Sequence, residues 1–84
     1  MSTITSCLAG HFIYRTIISA VKSGKLLEPF TLNDLMKAYP NLNKITCMVF
    51  LKKHRQGNPN GDSELFEMDE EGKFRLIRPF KYGF

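Results

Sequence analysis

Leu65-Phe-Glu-Met-Asp-Glu-Glu-Gly-Lys-Phe-Arg-Leu76 decides how the second half of this chain folds. Apolar and polar residues alternate on both sides of Glu70-Glu-Gly72, the period of half-buried strands. Strands are therefore expected over Glu64–Asp69 and Lys73–Arg78, and the loop between them sets their register. A three-residue loop with Gly72 in the left-handed conformation of a bulge puts Asp69 opposite Lys73, Met68 opposite Phe74 and Phe66 opposite Leu76. Phe66, Met68, Phe74 and Leu76 then share one inward face. A two-residue loop would pair Phe74 with Glu67 and split the apolar set between faces, so the bulged register is favoured.

N-terminal to the hairpin, Gly57-Asn-Pro-Asn-Gly61 is dense in turn formers and is expected to be a mobile loop. Before it the apolar period changes to that of helices. A first helix is expected over residues 6–23, capped by Thr5 or Ser6 and stopped by Gly24. Ile13, Tyr14, Ile17, Ile18 and Val21 fall on one side of it, and Arg15, Thr16, Ser19, Lys22 and Ser23 on the other. Leu8 and Phe12 lie among the polar residues. In Lys25–Phe30, Pro29 favours extended backbone and a short edge strand. Thr31-Leu-Asn-Asp34 has the form of a capping box, starting a second helix over residues 32–39 that Pro40 ends. Leu32, Leu35, Met36 and Tyr39 are its core candidates. Asn43 caps a third helix over residues 44–55, whose inner side carries Cys47, Phe50, Leu51 and His54.

Eighty-four residues make one domain, here of class α+β, with an aromatic tail over residues 79–84. No apolar run approaches the roughly 20 residues that span a bilayer, and no basic segment precedes an apolar one at the N-terminus. The expected setting is the cytoplasm, away from membranes, with Cys7 and Cys47 as free thiols. Charge is unevenly spread. Residues 1–55 hold eight basic and two acidic side chains, giving +6, whereas residues 56–84 hold four and six, giving −2. A basic helical half suits an anionic partner; a merely solvated surface is the plainer alternative.

Helix, helix, helix, loop and hairpin, in this order, resemble the winged helix-turn-helix superfamily. Phe30-Thr-Leu-Asn-Asp-Leu-Met-Lys-Ala-Tyr-Pro40 looks like its second helix and turn, Phe50-Leu-Lys-Lys-His54 like the end of its third helix, and Leu65–Leu76 like its wing. The last two segments together are similar to small winged-helix modules found beside prokaryotic DNA-processing enzymes. The resemblance implies a three-helix winged helix-turn-helix with a C-terminal two-stranded wing. It further implies double-stranded DNA as partner, with the third helix in the major groove, and a small transcriptional regulator or DNA-targeting module as function.

On that reading Lys44, Lys52, Lys53 and Arg55, with Arg75 on the second strand, would meet phosphates, and Asn43 and Thr46 would reach base edges. Two features depart from the pattern. No Arg or Gln stands at the start of the third helix, where Ile45, Met48 and Val49 share the outward side with the lysines. The wing tip, Asp69-Glu70-Glu71, would repel phosphate. Ile45, Met48 and Val49 could therefore be covered by a second subunit or by the C-terminal tail. Leu8, Phe12, Phe80, Tyr82 and Phe84 form another apolar set: either the tail folds back over Leu8 and Phe12, or both lie in a homodimer interface. Cys7 and His11 could share one helical face, but Cys47 with His54 falls outside the usual zinc spacings, and buried thiols with a core histidine explain the four more simply. No phosphate loop, nucleophile elbow or paired carboxylates occur, so neither enzyme activity nor a cofactor is expected.

Overall fold

Phe66 is fully buried and joins the two halves of the chain. Its ring meets Tyr14, Phe50 and Phe74 edge-on at 6.3, 5.8 and 6.4 Å, and Phe30 at 6.5 Å. These contacts come from a computed structural model, which describes the backbone of residues 2–84 and the side chains of residues 12–84. It is a small α+β fold with the order α1 (Ser2–Lys22), α2 (Leu32–Ala38), α3 (Lys44–Lys53), β1 (Phe66–Met68) and β2 (Phe74–Leu76). Burying rings of this size contributes about 1.5–3 kcal/mol each.

On α1, Ile13, Tyr14, Ile17 and Ile18 are buried and Val21 packs against them, as the helical period requires. Ala20, small enough for close approach, is buried too. The helix begins at Ser2, so Thr5 and Ser6 lie within it and do not cap it. Helical backbone gives way at Gly24, whose φ of 79° suits a residue without Cβ. The side chain of Leu8 and those of Cys7 and His11 lie outside the described residues.

Both later helices start as their caps dictate. Thr31 Oγ1 accepts the Asp34 N–H at 3.1 Å, and Asp34 Oδ2 accepts the Thr31 N–H at 3.0 Å, a complete capping box. Asn43 Oδ1 accepts the Thr46 N–H at 2.9 Å. The end of α3 differs from expectation. It stops at Lys53, because His54 and Arg55 turn away to pair with β1. The His54 carbonyl accepts the N–H groups of Leu65 and Phe66 at 2.8 and 3.1 Å, and Gln56 N–H donates to Phe66 at 2.6 Å. Tertiary hydrogen bonds thus replace the last turn that helical propensity alone would have added.

The hairpin has the bulged register. Phe66 lies opposite Leu76, Glu67 opposite Arg75 and Met68 opposite Phe74, with Gly72 at φ 81°. Asp69 holds the turn: its Oδ1 accepts the N–H groups of Glu71 and Lys73, each at 2.9 Å. The ladder is shorter than expected, three residues on each strand. Met68 shares the face of Phe66 in register yet is 49% exposed, so its assignment to the core is corrected. Phe74, opposite it, is covered by the Phe30 ring at 6.2 Å, whereas Met68 ends β1 and stays open. The edge strand expected over Lys25–Phe30 is reduced to one bridge, in which Phe30 and Phe74 exchange N–H···O bonds of 2.8 and 2.7 Å.

Asn58 ties the glycine-rich loop together, donating to the carbonyls of Arg55 and Asp62 and accepting the Asp62 N–H. The C-terminal tail folds back, but onto the middle of α1. Tyr14 Oη accepts the Lys81 N–H at 2.9 Å, and the Tyr14 ring meets Tyr82 and Phe84 edge-on at 5.8 and 5.5 Å.

Candidate nucleic-acid interface

The inner side of α3 is spent on the core through Cys47, Phe50 and Leu51. Burial raises the pKa of the Cys47 thiol, as for a packed, unreactive sulfur. The outer side is open. Lys44, Ile45, Thr46, Met48, Val49, Lys52 and Lys53 are all exposed, Ile45 at 69% and Val49 at 53%. At 100° per residue, Ile45, Met48, Val49 and Lys52 are centred opposite the core, and Lys44 and Lys53 flank them. The helix carries no carboxylate to neutralise its three lysines. The tail, one candidate cover for this surface, lies on Tyr14 instead.

The other predicted phosphate contacts are placed differently. Arg55, expected on the helix, lies beyond its end in the bridge to Phe66 and is partly buried. Arg75 is exposed on the outer side of β2, where its charge acts on Glu28. Asn43 sits at the helix start but is already engaged, because its carbonyl oxygen caps Thr46. A bidentate contact to an adenine edge would have to share that side-chain oxygen with the cap, whereas the amide nitrogen takes no part in capping. Thr46 is exposed one turn along. His54, expected on the buried side, is half-buried: its ring packs on Phe50 at 4.7 Å, and Nδ1 lies 2.8 Å from the Ser63 carbonyl.

The apolar set of α1 and the tail is only partly brought together. Phe80 packs against the core between the cations of Lys22 and Arg78, at 5.3 and 5.2 Å. Tyr82 and Phe84 reach Tyr14, and Phe12 is 48% exposed with Arg15 beside its ring. Among the described residues, no three His, Cys, Asp or Glu side chains converge on a metal position, and no helix is long and apolar enough to cross a membrane.

One polar cluster had no signal in the sequence. Glu28 Oε1 meets Arg78 Nη2 at 2.6 Å, while Oε2 accepts the Leu76 N–H at 2.7 Å and Arg78 Nη1 at 3.1 Å. Burial pushes the Glu28 carboxyl up. The bonds from Arg78 and Leu76, with the charges of Arg78 and Arg75, outweigh it and hold the pKa below the usual value. Fifty residues separate the partners, beyond the reach of any local pattern.

Comparison with known protein families, curated proteins and solved structures finds no match to this chain.

Proposed function

We propose that this chain is a winged helix-turn-helix domain that binds duplex DNA through α3, serving as a small transcriptional regulator or as the targeting module of a DNA-processing system. The observation that carries the reading is the outer face of α3, open along its length and bearing three lysines without a carboxylate. The architecture supports it. Three helices precede an antiparallel hairpin, and Phe30 adds one bridge to β2. Lys44, Lys52 and Lys53 would bind phosphates, Thr46 and the amide of Asn43 would reach base edges, and Ile45, Met48 and Val49 would contact thymine methyls. The acidic tip of the hairpin keeps clear of the phosphate backbone.

Titration of duplex DNA across a salt series tests this. Each phosphate contact contributes a slope of about −0.9 in log affinity against log salt, so three lysines predict a slope near −3. Lys52→Glu with Lys53→Glu should weaken binding to every sequence. Binding that is absent at low salt, or indifferent to salt, overturns the proposal.

A second reading rests on the same face. With Ile45 and Val49 more than half exposed at its centre, it suits a protein contact as well as a groove. Ile45→Lys with Val49→Lys separates the two: stronger DNA binding by an unchanged monomer rejects the protein contact, and lost association supports it.

A further inference from the structure

The outer face of α3 and the tip of the hairpin are opposite in charge and alike in shape of chemistry. On α3, exposed Ile45, Met48 and Val49 are continued by Lys52 along the same stripe, and Lys44 and Lys53 flank them. At the tip, Met68 is 49% exposed on one face of the hairpin, and Glu70 and Glu71 are exposed in the turn beyond it. Each is an apolar centre with a charged rim, the layout of a protein contact. Among the described residues both surfaces stand open: Phe66 of β1 packs on Phe50 at the inner side of α3, which leaves the outer face and the turn exposed. The tip is also preformed. Asp69 and the left-handed Gly72 fix the turn, and this task leaves the carboxylates of Glu70 and Glu71 free of it.

We infer that the α3 face docks the hairpin tip of a second copy of this chain, with Met68 packed among Ile45, Met48 and Val49 and the glutamates facing the lysines. The contact is small for a stable interface, so association is weak, rises with concentration and is lost with salt. Where two such contacts are reciprocal they close a dimer; where they are not, copies add head to tail. Self-association would occupy the lysines assigned to DNA, so the two compete. The inference stands on charge and exposure and does not require that DNA binds.

A charge swap tests it, with sedimentation equilibrium at low salt as the readout. Glu70→Lys with Glu71→Lys makes tip and helix both basic, and Lys52→Glu with Lys53→Glu makes both acidic. Each double variant alone should lose self-association about tenfold or more, and their equimolar mixture should regain it, because every tip then meets a helix of opposite charge. Circular dichroism checks that both variants fold. If either does not, Met68→Glu in the wild-type background replaces it and should itself weaken association. The inference is overturned if the wild-type chain stays monomeric at low salt, or if the variants associate alone as the wild type does. A mixture that gains nothing overturns it equally. Loss of DNA binding with association intact counts against the tip contact while leaving the DNA proposal in place.

Discussion

The turn of the hairpin and the outer face of α3 are both exposed, but they stand differently toward their own chain. The turn bonds internally: Asp69 accepts two N–H groups, Asp69 N–H donates to the Lys73 carbonyl, and Gly72 takes up the positive φ. The outer face of α3 has only its backbone ladder, with Asn43 as cap. Among the described residues, no side chain bonds to its lysines and its apolar groups stay exposed. A turn must satisfy backbone groups that no ladder pairs, so its polar residues have structural work. A helix satisfies its own backbone, so the residues on its outer side are released from the fold and available for a partner.

The strongest way to break this contrast is at the residue that connects the two regions. Phe66→Ala should cost about 3–5 kcal/mol in urea unfolding, because it removes the ring shared by Phe50 of α3 and Phe74 of β2. Loss of the hairpin with α3 intact would show instead that the regions fold independently. A smaller and more local effect is expected from Asp69→Ala. Removing one acceptor for two solvent-exposed backbone donors should cost about 0.5–1.5 kcal/mol and speed amide exchange of Glu71 and Lys73, leaving α3 protection unchanged.

The smallest effect concerns pH. The folded-state pKa of Glu28 is lowered, so its contribution to stability is present above the unfolded value and is lost as pH falls through the folded one. Melting temperature should therefore drop in the acid range below ordinary glutamate titration. Arg78→Ala should flatten that part of the profile, with a modest amplitude because half of the Arg78 side chain is open to solvent. An unchanged profile would mean that the Leu76 N–H, and not Arg78, holds the Glu28 carboxylate.

Local chemistry was enough for much of this protein. The caps at Thr31 and Asn43, the stop at Gly24, the inward side of α1 and the register around Gly72 each depend on residues a few positions apart, where backbone sterics and side-chain reach leave few choices. The outward grouping of Lys44, Ile45, Met48, Val49, Lys52 and Lys53 followed from the helical period in the same way. Other features needed distant segments to meet. The exit of His54 and Arg55 from α3 depends on Leu65 and Phe66, the burial of Phe74 but not of Met68 on the arrival of Phe30, and the path of the tail on the hydroxyl of Tyr14. The Glu28–Arg78 pair depends on the same kind of meeting across the chain. Alternation and periodicity report which side of an element faces inward. How far the core extends beneath that side, and which distant donor arrives there, is decided only when the segments pack.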